Sequence, residues 1–235
     1  MKRLYVSAVR AVARLLELLG VMGLLDRWAA RSRTGLWVRS WFAIYDLEQM
    51  VALGVPWWTF EAIDQVERHL SSRESARVFE WGSGASTVWL AARAGSVLTI
   101  EHDAEWASGM RSRLPDHVRL LVVPPVGSTR PAVPSAKPGH EGLDFSDYVA
   151  AIDRSPDLYD LVVIDGRARE ACLARALDHL APGGLIVFDN VDRERYRDAI
   201  AAEGARLEVT WTRGRTPSLP YPTRTALIAA GEQPR

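Results

Sequence analysis

The chain has 235 residues, 48% hydrophobic and 25% charged, which suits one large α/β domain with a modest extension and is too apolar for a disordered chain. Its formal net charge of +0 argues against a nucleic-acid partner, since such proteins usually carry a clear basic excess. A single cysteine, Cys172, leaves no internal disulfide and fits a reducing, cytoplasmic setting.

The neutral total hides an asymmetry. Residues 1–40 hold eight basic against two acidic side chains, a local charge of +6. Residues 3–25 are predicted as one amphipathic helix: Leu4, Ala8, Val12, Leu15, Leu19 and Met22 recur at helical spacing, with Arg3, Arg10, Arg14 and Glu17 opposite. Those charges interrupt any apolar run, against a signal peptide or a membrane span. The apolar face is expected to pack, burying Leu15, Leu19 and Met22, on the domain or on a second subunit of a homodimer. The alternative is a basic helix resting on an anionic membrane surface through residues 3–25. Five of the nine tryptophans follow between positions 28 and 58. Trp37 and Trp41, one helical turn apart, make an aromatic face suited to core packing, or else to a lid, a membrane belt or an acceptor wall. Residues 1–55 read as a helical extension and residues 56–235 as the main domain.

A helix is predicted from Trp58 to Leu70, with Phe60, Ile63, Val66 and Leu70 on one face. Val78 and Phe79 end a short buried strand, Gly82-Ser83-Gly84 forms a turn, and Ser86 or Thr87 caps a helix beginning at Val88. Strand, glycine turn and helix open a βαβ nucleotide site in which amide N–H groups face the ligand. A dinucleotide fingerprint would place a third glycine where Thr87 stands, and Glu80 precedes the first glycine by two residues. A carboxylate there repels a pyrophosphate and suits the cationic amino group of a methionine moiety. The next strand, Ser96–Ile100, ends in Glu101, about 20 residues on, where an acid accepts hydrogen bonds from two ribose hydroxyls. Glu80, Gly82, Gly84 and Glu101, with Ser83 and Thr87 in the same turn, together describe a site for S-adenosylmethionine. A nicotinamide-dependent oxidoreductase is the alternative that Glu80 and Thr87 count against. A membrane-peripheral binding protein with a vestigial site is a third reading.

Beyond Glu101, His102-Asp103 opens a helix to about Arg113, and Val118–Val123 is a third strand. Residues 124–142 carry five prolines and three glycines; a loop of that length is functional or mobile. Phe145–Arg154 is predicted helical, and Asp160–Asp165 is a fourth, buried parallel strand ending in an acid. After Gly166-Arg167-Ala168-Arg169, one helix is expected to carry Cys172, Ala176, Leu177 and Leu180 and to stop at Pro182-Gly183-Gly184. The fifth strand, Leu185–Phe188, runs into Asp189-Asn190. A helix to about Ala202 and strands near Ala205–Thr212 and Thr223–Ala229 follow, flanking a proline-rich segment.

The phrases at 79–87, 100–106, 163–169 and 183–190 resemble class I S-adenosylmethionine-dependent methyltransferases, one bacterial branch of them in particular, over roughly residues 55–230. The resemblance implies a doubly wound, Rossmann-like sheet of seven strands, mostly parallel, with the last antiparallel. It implies that Glu80, Gly82 and Gly84 hold the methionine end and Glu101 the ribose. His102 would lie beside ribose and adenine and Asp165 would face the methyl group, which makes these two the candidate bases. A further likeness is to metal-dependent O-methyltransferases of the catechol and caffeoyl-coenzyme A type. Asp165, Asp189 and Asn190 reproduce their ligand positions and imply Mg²⁺. That family's lysine is replaced here by Ala168, and the Asp-Asn pair alternatively caps the next helix or turn. In strand order 3-2-1-4-5 the two acids emerge side by side, so without metal one needs a salt bridge from Arg167, Arg169 or Arg193. The expected activity is methyl transfer to oxygen of a small-molecule or sugar-like acceptor.

Overall fold

A computed structural model describes residues 2–44 and 46–231. Helices α1 (Lys2–Leu18), α2 (Val21–Ala29), α3 (Arg33–Ser40), α4 (Leu47–Ala52) and α5 (Phe60–Ser71) precede the sheet. Then come β1 (Arg77–Trp81), α6 (Ala85–Ala91), β2 (Ser96–Glu101), α7 (Ala104–Arg111) and β3 (Val118–Val122). A small hairpin pairs β4 (Val126–Gly127) with β5 (Leu143–Asp144), and the short α8 (Ser146–Val149) follows. The chain continues through β6 (Tyr159–Ile164), α9 (Arg169–Leu177), β7 (Leu180–Asp189), α10 (Glu194–Ala202), β8 (Leu207–Gly214) and β9 (Thr223–Ala230).

Seven strands form one sheet in the order β3-β2-β1-β6-β7-β9-β8. The first five run parallel, and β9, the last in sequence, is antiparallel to both its neighbours. This is the doubly wound sheet expected from the sequence, and the parallel order explains the composition of its middle. Leu161, Val162, Val163 and Ile164 of β6 are fully buried because helices cover both faces, each contributing roughly 1.5–3 kcal/mol. One core lies under α8, α9 and α10, around Phe79, Trp81, Tyr148 and Phe188. The other lies under α5 and α6, around Trp58, Val66, Leu70 and Trp89.

Three expectations change. The helix predicted over 3–25 is two, because Gly20 takes a left-handed conformation (φ +69°) that ends α1 and lets the chain restart. Ala13 and Met22 are buried, but Leu15 and Leu19 are 55% and 66% exposed, and Val12 and Leu18 join them on an apolar stripe that the domain does not cover. The helix predicted to hold Leu180 stops at Leu177. Leu180 instead begins β7, which passes through Pro182-Gly183-Gly184 where the β6–β7 register shifts. The 124–142 loop is ordered by Asp144, whose carboxylate accepts from the Ala132 N–H (2.6 Å), the Ser146 N–H (2.8 Å) and the Ser146 hydroxyl (2.5 Å).

The boundary expected at residue 55 is crossed by packing. Trp37 and Trp41 meet edge-to-face at 4.7 Å, and Trp37 Nε1 donates to the Leu219 carbonyl at 2.9 Å. The Ser218 N–H donates to Ser40 Oγ at 2.7 Å, and Arg33 forms an ion pair with Asp64. These contacts make the tryptophan pair a strap between α3 and the β8–β9 connection. Nearby, α4 packs against the start of α6, with Met50 beside Ala43 and Ala85.

Candidate active site

The site sits at the carboxyl ends of β1, β2 and β6, where open α/β sheets bind ligands. At the end of β1 the chain turns at Gly82, whose φ of +96° only glycine adopts cheaply. A Cβ there would stand 2.7 Å from Gly166 Cα, so the β1 and β6 crossovers touch backbone to backbone. A Cβ at Gly166 would in turn collide with the Tyr148 hydroxyl.

Glu80 is fully buried and does not face this space. Its two oxygens accept from Ser86 Oγ and Thr87 Oγ1, each at 2.6 Å, and Thr87 Oγ1 accepts the Gly84 N–H at 2.9 Å. The carboxyl therefore braces the glycine turn and the first turn of α6 from beneath. Burial pushes its pKa up to about 7 against the lowering effect of those hydroxyls. Glu80 and Thr87, expected to touch the cofactor, are engaged with the turn that Gly82, Ser83 and Gly84 present and do not line the cavity.

Glu101 ends β2 and does line the space. Its Oε2 accepts from Ser83 N (3.0 Å) and Ser83 Oγ (2.9 Å), and its Oε1 from the amides of His102 (2.7 Å) and Asp103 (3.0 Å). Burial works against ionisation, but these donors and the neighbouring His102 outweigh it and hold the pKa below its ordinary value. A ligand hydroxyl can take the acceptor position that the rotatable Ser83 hydroxyl fills, which leaves the amides to fix the carboxylate. His102 lies alongside, its Nδ1 2.6 Å from Glu101 Oε1.

At the end of β6, Asp165 lines the space, but Arg169 holds it. Arg169 donates from Nη2 to Asp165 Oδ1 (2.6 Å) and the Asp165 carbonyl (2.8 Å). It also donates from Nη1 to the Asp189 carbonyl (2.8 Å) and from Nε to the Gly166 carbonyl (3.1 Å). Asp189 is buried on the far side, accepting from Thr225 Oγ1 (2.7 Å) and Asn190 Nδ2 (2.5 Å). Burial and the nearby Asp165 raise its pKa to about 7.

Together these elements line a half-open cavity of about 550 Å³. Gly82, Ser83, Gly84 and Gly166 form its floor. Glu101, His102 and Trp106 stand on one side, with Trp106 Nε1 bonded to the Ser83 carbonyl at 2.8 Å. Met50 and Trp57 come from the amino-terminal segments, and Lys137, His140 and Arg167 close the remaining wall.

Residues 79–191 match the family model of a methyltransferase domain. The chain therefore carries a methyltransferase domain. Solved structures share the fold. A protein described as an O-methyltransferase from Klebsiella pneumoniae is 20% identical, with 84% of this chain and 90% of that one aligned and a TM-score of 0.58. The O-methyltransferase from Bacillus cereus, solved with S-adenosylhomocysteine, is 20% identical over 96% of this chain and 99% of that one, at 0.54. A protein described as an rRNA methylase from Clostridium thermocellum is 13% identical over 72% and 96%, at 0.51. No curated protein matches in sequence. Acceptors as different as these names imply share the fold, so the methyltransferase's own acceptor has to be read from its walls.

Mg²⁺ at Asp165, Asp189 and Asn190 does not fit this methyltransferase. The Arg169 guanidinium lies where the cation would sit, bonded to Asp165, while both Asp189 oxygens are turned to Thr225 and Asn190. Among the described residues no three His, Cys, Asp or Glu side chains converge on a metal position. The two acids are tolerated side by side because a buried arginine takes the place expected for the cation. Neither Asp189 nor Asn190 lines the cavity.

Sequence reasoning missed Met50, Trp57, Trp106, Lys137, His140 and Arg167 as wall residues of the methyltransferase. For Lys137 and His140 the signal was the length of the proline-rich loop. For Arg167 it was a position just beyond the carboxyl end of a central strand.

Proposed function

We propose that the protein methylates a hydroxyl oxygen of a small-molecule, sugar-like acceptor. The observation that carries this reading is the half-open cavity lined by Met50, Trp57, Lys137 and His140. Small-ligand sites span roughly 300–1,000 Å³, so a half-open space of about 550 Å³ that also takes the cofactor suits a small acceptor group beside it. When bound, S-adenosylmethionine supplies a sulfonium methyl that the acceptor oxygen takes as the carbon–sulfur bond breaks, leaving a neutral thioether and a proton to be removed. The Gly82-Ser83-Gly84 turn gives the cofactor close backbone approach and Glu101 accepts from it, and the walls fix the acceptor's approach, so positioning carries most of the catalysis.

His140 is the base. Burial, together with the charge of Arg167, lowers its pKa, which keeps the imidazole neutral and able to accept a proton near pH 7. Asp165 is the poorer base because Arg169 stabilises its ionised form. His102 is 5.6 Å from His140, ring centre to ring centre, on the Glu101 side of the cavity.

Incubating the protein with methyl-labelled S-adenosylmethionine and a metabolite extract should place label in small ethers. Label found only in polymers or on nitrogen refutes the reading. His140→Gln should lower kcat by about 10²-fold while the affinity for S-adenosylhomocysteine stays as it was.

A further inference from the structure

Two arginines stand two residues apart after β6, and their circumstances differ. Arg169 is buried and makes four hydrogen bonds, one of them within its ion pair with Asp165. Arg167 is half-buried against the cavity and makes one, from Nη1 to the adjacent Gly166 carbonyl at 3.3 Å. Its Nε is buried with no partner, and among the described residues no carboxylate lies within ion-pair distance of it. A guanidinium carries five N–H donors in a planar fork, and withdrawing one from water without an anion is costly.

The nearby acids cannot supply that anion. Asp165 is taken by Arg169. Glu101 is engaged by Ser83 and by the amides of His102 and Asp103, and it reaches Arg167 only through its longer-range charge. Asp103 caps α7 through the amides of Glu105 and Trp106. Lys137 lines the same wall, and a sulfonium cofactor brings one more positive charge into the same space. Burial already holds Arg167 below its ordinary pKa, and the Arg167 charge lowers that of His140 beside it.

We infer that Arg167, flanked by Lys137 and His140, is an anion subsite that takes a carboxylate or phosphate group of the methyl acceptor. The inference rests on the small-acceptor reading and narrows it to hydroxylated acids and sugar phosphates. The fork of Arg167 matches two oxygens of either group side by side, and an acceptor anchored there presents its hydroxyl towards His140. The other source of the same chemistry is the carboxylate of the cofactor's methionine end.

The test uses the full chain saturated with S-adenosylhomocysteine and titrated with inorganic phosphate, followed by calorimetry. Phosphate should bind the native protein and bind Arg167→Gln at least tenfold more weakly. Arg167→Lys should lie between them, because it keeps the charge and loses the fork. Affinities for S-adenosylhomocysteine and for 5′-methylthioadenosine, which lacks the carboxylate, should stay within twofold of native in both variants. Equal melting temperatures show that the variants fold. Phosphate affinity unaffected by Arg167→Gln overturns the inference. So does a tenfold loss for S-adenosylhomocysteine with none for 5′-methylthioadenosine, which assigns Arg167 to the cofactor. No turnover is needed, so the titration succeeds or fails independently of whether the methyl group goes to oxygen.

Discussion

Replacing Glu80 by Gln separates a brace from a ligand contact. Burial raises the Glu80 pKa from 4.5 to about 7. At 1.36 kcal/mol per unit this corresponds to roughly 3 kcal/mol of native-state cost once the group is forced to ionise. The sign follows from proton binding. The native protein keeps this proton up to about pH 7, whereas the unfolded chain releases it near pH 4.5, so the contribution to stability falls as pH rises between those values. Glutamine has no proton to lose, and its amide offers one donor and one acceptor to Ser86 and Thr87, as the protonated acid does. Native and Glu80→Gln proteins should therefore show similar urea midpoints at pH 5. At pH 8 the variant should be the more stable, by up to roughly 3 kcal/mol. Asp189, raised to about 7 as well, leaves a residual slope of the same sign in the variant. Parallel pH profiles would refute the reasoning about burial. A hundredfold loss of S-adenosylhomocysteine affinity in Glu80→Gln would refute the brace, because it would mean that the carboxylate touches the ligand.

Glu101→Ala should weaken S-adenosylhomocysteine binding by roughly 1.5–3 kcal/mol, the range for hydrogen bonds to charged groups, and an unchanged dissociation constant would move the ribose elsewhere. Arg169→Met strands Asp165 and should cost about 3–5 kcal/mol in urea unfolding. Turnover of the native enzyme should survive chelator unchanged; restoration by Mg²⁺ of activity lost to chelator would overturn the assignment of that space to Arg169. Leu15→Ser should shift stability by less than about 0.5 kcal/mol, since the side chain is 55% exposed. A larger loss that deepens with protein concentration would show that a second copy covers the stripe.

Much of the fold was legible because parallel strands buried on both faces must be continuous apolar runs, as at Leu161–Ile164. Glu101 was legible from its distance to the glycine turn. The direction of Glu80 could have been read and was not. Side chains alternate along a strand, so Glu80 shares its face with Val78, the side on which α6 packs, and Ser86 and Thr87 lie there to receive it. Arg169, by contrast, was among the three arginines expected to hold one acid in the absence of metal, and it is the one that pairs with Asp165. Gly20 sits in an apolar pattern that continues past it, so periodicity alone runs the helix through. The walls were out of reach for another reason. Met50, Trp57, Lys137, His140 and Arg167 are brought together from segments far apart in the chain, and no local pattern records such a meeting.

The contact between Gly82 and Gly166 divides the freedom to change unevenly. Where these two turns meet, the protein has only main chain to offer, and a side chain added to either would push the β1 and β6 crossovers apart. The enzyme therefore cannot retune its selectivity from below. Apart from a change at Arg167, new acceptor preferences have to enter through the loop that carries Lys137 and His140 or through the segment that carries Met50 and Trp57. Neither of those pieces supplies a strand to the seven-stranded sheet. Recruitment to a different acceptor then amounts to exchanging two peripheral inserts over an invariant base. Chimeras that trade only residues 124–142 are the smallest step in that direction.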